Sequence, residues 1–245
     1  MTKTTFLRAL SVTLLLATLS GCGFIDYAFL PPPKDTAQEL WEAGRDAMRE
    51  KRYTAAQEDF LSLKDRYPFS PYAADGVIGL GDAYFMDGKF QEAADAYKEF
   101  ESLHPRHEMI PYVLYQIGVS TYRKLDSIDL PQDGLGEAIQ YFTLLKDRYP
   151  NTQWGQDAPN WIAKSRTRMA DHEILVADFY WNTGRYGAAW RRYTYVAEHF
   201  RDLPDVFKYA RDKAQIAYLE YQKTLSEDER RSVEGSWHNF VKKWL

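Results

Sequence analysis

AAQEDFLSLKDRYP (55–68), EAADAYKEFESLHP (92–105), EAIQYFTLLKDRYP (137–150) and AAWRRYTYVAEHFR (188–201) align without gaps. Each has Ala at its second position, an aromatic ring four residues later and an apolar residue three beyond that. The Ala column is Ala56, Ala93, Ala138 and Ala189. The ring column is Phe60, Tyr97, Phe142 and Tyr193, and the next is Leu63, Phe100, Leu145 and Val196. Steps of four and three keep one face of a helix. Pro68, Pro105 and Pro150 close three segments; Arg201 stands in the fourth, and Pro204 follows. Proline cannot continue a helix, so each segment ends there.

A small residue lies upstream of each Ala: Gly44, Gly81, Gly118 and Ala177. Small residues on both of two helices let their backbones cross closely. Gly88 and Gly184 fall between, where a left-handed residue caps the first helix. This is the tetratricopeptide pattern, two antiparallel helices per unit. The small residues at 44, 81 and 118 recur every 37 positions, against roughly 34 for a plain repeat. Two places break the rhythm. Extra residues after Gly118 fall in Leu125–Gly134, a loop by its Pro, Gly and Asp. Extra residues after Pro150 extend the fourth unit's first helix, from near Pro159 to Trp181. A fifth unit begins with one helical stretch, Val206 to Lys223. Ser226 and Glu229 then fit a capping box, and Val233, Trp237, Phe240, Val241 and Trp244 form an apolar stripe that caps the end. The expectation is an all-α solenoid of five tetratricopeptide-like helix pairs, near 37–68, 74–105, 111–150, 159–201 and 206–244. The concave face of such a stack binds extended peptides or helices.

Composition narrows the function. The 245 residues are 45% hydrophobic and 27% charged, which is globular rather than disordered. The net charge of −4 argues against a protein that tracks nucleic-acid phosphates. One Cys excludes an intrachain disulfide framework and a multi-Cys zinc site. Aromatic residues reach 16%, enough rings to pack against a partner as well as a core.

The N-terminus reads as an address. Lys3 and Arg8 precede an apolar run, Ala9 to Leu19, too short for a membrane span and right for a signal peptide over 1–21. Leu19-Ser20-Gly21-Cys22 resembles the bacterial lipobox. Cys22 then carries a diacylglycerol and an N-acyl chain, and no other cofactor is expected. By the same resemblance, Gly23 in place of Asp favours the outer membrane, with the chain anchored in its periplasmic leaflet. Two lipid groups anchor stably where one holds only marginally. Residues 22–34 form a tether, apolar at first and stiffened by Pro31-Pro32-Pro33. Losing the signal peptide leaves 29 basic residues against 35 acidic, a net charge of −6.

No catalytic motif is present. GxSxG, Walker A and Rossmann glycine patterns are missing. His104 and His107 flank a helix-breaking proline and lack a third ligand, so no metal is expected. One cluster stands out: Tyr67-Pro68-Phe69-Ser70-Pro71-Tyr72, three rings and two prolines between helices. The rings belong either to the core between units or to a ledge at the mouth of the concave groove. On the second reading Arg66 and the Tyr72 hydroxyl are donors to a carboxylate, and Tyr67 and Phe69 are walls.

The lipobox, the five units, Arg66-Tyr67-Pro68-Phe69, His104-Pro105 ahead of Pro111-Tyr112, Arg148-Tyr149-Pro150-Asn151 and the long fourth-unit helix together resemble the BamD family. The likeness covers the whole mature chain. It implies a non-enzymatic lipoprotein scaffold of the outer-membrane β-barrel assembly complex. It further implies binding of a BamA-like partner through the C-terminal units and of the C-terminal segments of unfolded barrel proteins, which commonly end in an aromatic residue. Tyr209-Ala210-Arg211-Asp212 matches the partner-facing stretch, with Arg211 as the interface arginine; on the residues alone, Arg211 and Asp212 read equally as a surface pair of neighbours on a solvated helix. Other assembly lipoproteins are possible partners, and nucleic acid is not. The loop near 125–136 is shorter than in enterobacterial members, and the end of the chain, with Trp237 and Trp244, departs from theirs. A pilotin or envelope-division scaffold with the same repeats, or a peptidoglycan-processing accessory, is the alternative.

Overall fold

The computed structural model describes residues 36–125, 132, 134–225 and 241. Cys22, the tether over 22–34, the capping pair Ser226 and Glu229, and Val233, Trp237, Phe240 and Trp244 lie outside the described residues. The described elements are all helices: α1 (Ala37–Arg49), α2 (Tyr53–Arg66), α3 (Ala73–Met86), α4 (Phe90–Leu103), α5 (Ile110–Arg123), α6 (Gly134–Arg148), α7 (Gln153–Asn182), α8 (Tyr186–His199) and α9 (Pro204–Thr224). Each packs chiefly on the helices before and after it. The first helices of successive units also touch, α1 on α3, α5 on α7 and α7 on α9. That is a solenoid of helix pairs.

The aligned columns form its spine. Ala56, Ala93, Ala138 and Ala189 are fully buried, and so are the rings of Tyr97, Phe142 and Tyr193. A Cβ built on Gly44 would lie 2.6 Å from the Phe60 ring, one on Gly81 2.6 Å from Tyr97, and one on Gly118 2.6 Å from Phe142. The small residue of the first helix is therefore the seat of the ring on the second. Phe60 also meets the next unit: a Cβ on Gly79 would lie 2.8 Å from it.

The turns within units need a left-handed residue, supplied by Gly88 (φ 77) and Gly184 (φ 73). In the first unit Lys51 (φ 59) takes this role, at the strain a side chain brings to that region. Helix α1 opens on a capping box: the Thr36 hydroxyl accepts from the Glu39 amide, and the Glu39 carboxylate accepts from the Thr36 amide, both at 3.1 Å.

The fourth unit corrects one expectation. Its long helix begins at Gln153, and Pro159 lies inside it. Two local features move the start upstream. The Thr152 hydroxyl accepts from the Gly155 amide at 3.1 Å, satisfying a first-turn donor. Gly155 also permits a close approach that a side chain would block, since its Cβ would meet the Tyr149 carbonyl oxygen at 2.0 Å. Pro159 only forgoes the bond its missing N–H would have made to Gly155.

Ion pairs tie neighbouring second helices together: Lys64 to Glu99 at 3.0 Å and Lys98 to Glu137 at 2.6 Å. Arg166 of α7 grips the α8–α9 turn, donating to both carboxylate oxygens of Asp202 at 2.5 Å and to the His199 carbonyl at 2.7 Å. At the far end Val241 packs on the cluster of Trp190, Tyr193 and Tyr218.

Ala93→Leu drives a branched side chain into the fully buried crossing of α3 and α4. It lowers stability by about 1–3 kcal/mol, read as a fall in Tm by circular dichroism. Glu58→Gln, an exposed change on α2, stays within about 0.5 kcal/mol.

Candidate functional site

Residues at −3, +1, +4 and +5 from the small residue share one side of a first helix. In α1 these are Trp41, Arg45, Met48 and Arg49, counted from Gly44. All four line a cavity of about 440 Å³. Its other walls are Asp75, Ile78, Gly79 and Asp82 of α3, the Phe60 ring, and Glu108 and Met109 before α5. The Arg45 guanidinium lies over the Trp41 indole, 4.4 Å from the ring centroid. The Tyr72 ring packs on Trp41 from the α2–α3 turn, with centroids 5.2 Å apart. Arg49 is held by Asp46 one turn back. One wall is thus aromatic and cationic, and the opposite wall is apolar with carboxylates.

The four residues read from sequence as a ledge divide. Tyr72, half-buried, braces the cavity through Trp41. Phe69 is fully exposed, so it is no part of a core between units. Arg66 and Tyr67 associate with each other, the guanidinium 5.3 Å from the ring centroid. Trp41, Arg45 and Met48 were not singled out by sequence, although their offsets from Gly44 were legible.

A second feature was also missed. Asp82 accepts hydrogen bonds from the Tyr97 hydroxyl of α4 and the Tyr112 hydroxyl of α5. Gln116 donates to the Tyr112 oxygen at 2.9 Å. Burial raises the Asp82 carboxyl above its ordinary range, and the two hydroxyls pull it back. Burial and the neighbouring carboxylate push both tyrosines up. The arrangement recurs: Asp178 accepts from Tyr193 of α8 and from Tyr209 of α9, the latter at 3.0 Å. Each clamp joins three successive helices. Each uses an Asp directly after the small residue, Tyr in the ring column and Tyr on the next first helix. Where the ring is Phe60 or Phe142, the residue after Gly44 or Gly118 is Arg45 or Val119 instead.

Tyr209, assigned by resemblance to partner binding, is therefore engaged in a clamp, with its hydroxyl pushed up to about 12 by burial. The Arg211 fork rests on its neighbour Asp212, with bonds of 3.1 and 2.9 Å. Phe179 of α7 is exposed, and so are Ile216 and Leu219 of α9. Among the described residues, no group of three His, Cys, Asp or Glu is placed to hold a metal. No described helix is long and apolar enough to cross a membrane.

Residues 33–233 match the YfiO family, described as outer membrane lipoprotein. The chain belongs to that family. Relatives of this YfiO chain include the outer membrane protein assembly factor BamD of Neisseria meningitidis serogroup A, 28% identical over 93% of this chain and 90% of that protein. The factor of the same name from Vibrio cholerae is 26% identical over 88% of this chain and 90% of its own length. Among solved structures, a tetratricopeptide repeat protein from Parabacteroides merdae is 16% identical, with a TM-score of 0.41 over 76% of this chain and 74% of that one.

The Asp82 clamp yields a pH signature. A carboxyl raised above its ordinary 3.8 in the folded state binds its proton more tightly there. Its contribution to stability is fully present below 3.8, falls as pH rises through the raised folded value, and is level above it. Asp82→Asn keeps an acceptor oxygen for both hydroxyls and does not titrate. Its stability relative to wild type should thus improve between about pH 3 and pH 7, measured by urea denaturation. Asp82→Ala leaves two buried hydroxyls unpaired and costs about 1–3 kcal/mol at neutral pH.

Proposed function

We propose that this lipoprotein works in outer-membrane protein assembly as a non-enzymatic scaffold. The observation that carries the reading is the match to assembly factors over nine-tenths of their length. Cys22, acylated, holds the chain on the periplasmic leaflet of the outer membrane. The concave cavity of the first two units receives the C-terminal segment of an unfolded barrel protein. A terminal aromatic ring fits between Trp41, Met48 and Ile78, with Tyr72 behind the indole. The free carboxylate meets Arg45. Burying one ring contributes about 1.5–3 kcal/mol, which suits a weak encounter whose client must be passed on. The acids on the far wall disfavour a second negative charge and set the direction in which the segment enters.

The other end of the stack holds a BamA-like barrel partner. The face of α9 bearing Ile216 and Leu219 supplies apolar area, and Arg211 with Asp212 supplies a charged pair at its rim. Tyr209 contributes by fixing α9 to α7. Other lipoproteins of the complex are further partners.

Two measurements test the reading. Arg45→Gln weakens binding of a peptide ending in Phe with a free carboxylate by about tenfold. It leaves the amidated peptide unchanged by calorimetry, and equal effects on both peptides would remove Arg45 from the site. Arg211→Glu lowers recovery of the barrel partner in pull-downs from detergent-solubilised envelope, with helical content unchanged. Full recovery removes Arg211 from the interface.

A further inference from the structure

Each first helix starts, and each second helix ends, on the same long edge of the solenoid. That edge carries the turns between units. Phe69 is fully exposed on the first of them, and Leu103 is 62% exposed at the second. Neither ring nor branched chain belongs to the cavity or to the core. Arg66, Arg106 and Arg148, one at each of the first three turns, are exposed on this edge. Acids share the edge, among them exposed Asp65 and Glu108, while Asp147 pairs with Lys146 and Asp202 with Arg166.

The start of α1 lies on the edge that bears Phe69. Cys22 precedes Ala37 by 15 residues. Such a segment spans about 50 Å if fully extended and about 20 Å as a flexible coil. A lipid at Cys22 thus joins the chain to the bilayer from this edge, and the other edge lies about 20 Å further off, the length of α1. Contact with the surface becomes an intramolecular event, and a patch too weak to bind alone becomes occupied.

We propose that the edge bearing the turns between units lies on the phospholipid surface. Phe69 and Leu103 enter the boundary between headgroups and chains, and Arg66, Arg106 and Arg148 face anionic headgroups. This rests on the reading of Cys22 as acylated and is independent of what the cavity binds. An aromatic ring beside arginine suits that boundary, where an apolar body and a charged head are both solvated. Pro68 and Pro71 help, because they place no backbone N–H where water is scarce.

The test uses the full acylated protein, purified from membranes and reconstituted in phosphatidylethanolamine–phosphatidylglycerol vesicles. Single cysteines at Phe69, Leu103 and Lys51 are labelled in turn with an environment-sensitive fluorophore; Cys22 is blocked by its lipid. The expected result is quenching by brominated acyl chains at 69 and 103, with loss of quenching by aqueous iodide there. At 51, on the opposite edge, only iodide quenches. Equal iodide quenching at all three positions overturns the proposal. Shielding at 69 and 103 without quenching by brominated chains also overturns it, by placing a protein on this edge. Peptide affinity, read separately, is expected to be the same in vesicles and in detergent, so failure here leaves the cavity reading standing.

Discussion

A ring lying directly on a backbone that carries no Cβ is the contact on which the rest of this molecule depends. Phe60 on Gly44, Tyr97 on Gly81 and Phe142 on Gly118 are three copies of one solution. The missing Cβ brings paired helices to the closest approach a ring allows, and the ring fills what remains. Once that distance is set, the offsets −3, +1, +4 and +5 fall on the inner surface of every first helix. The cavity and its aromatic wall follow from that register. In the fourth unit the small position is Ala177, which keeps a Cβ and is fully buried in the same cluster as Tyr193.

A hydroxyl on the ring adds a second layer of constraint. Tyr97 and Tyr193 each reach an aspartate one residue past the small position, and a tyrosine of the next unit completes the bond set. Two boundaries are thereby fixed by polar bonds whose rupture inside the stack would strand buried groups. The first boundary is different. With Phe60 in the column, the position after Gly44 needs no carboxylate. It carries Arg45, which faces the cavity over Trp41. In the third unit, which also has phenylalanine in the column, the same position is Val119 and is buried in the core, so the open face is particular to the first unit.

The fold was legible because its determinants are local and periodic. Column spacing, the proline stops, and the glycines at 88 and 184 each reflect a steric rule acting within one unit. The start of α7 was misread because Pro159 resembles a helix opening, whereas the threonine cap and the glycine contact that set the start depend on the chain before it. The site was less legible. Tyr72, Phe69, Arg66 and Tyr67 are neighbours in sequence, yet a turn with two prolines sends them to different surroundings. The clamps join residues 15 positions apart and 30 or 31 positions apart. Only their recurrence at two boundaries could have exposed them. Arg211 was picked out by resemblance, and its fork rests on Asp212, the pairing that their adjacency in sequence already offered.

Phe60 touches glycines in two different units, Gly44 in its own and Gly79 in the next. A change of ring size there must be answered on both sides at once. Units one and two are consequently not interchangeable modules, although their columns align without gaps. Moving, duplicating or deleting either as a cassette would set a ring against a side chain at the new seam. Recombination that respects unit boundaries breaks this chain more readily than drift within a unit.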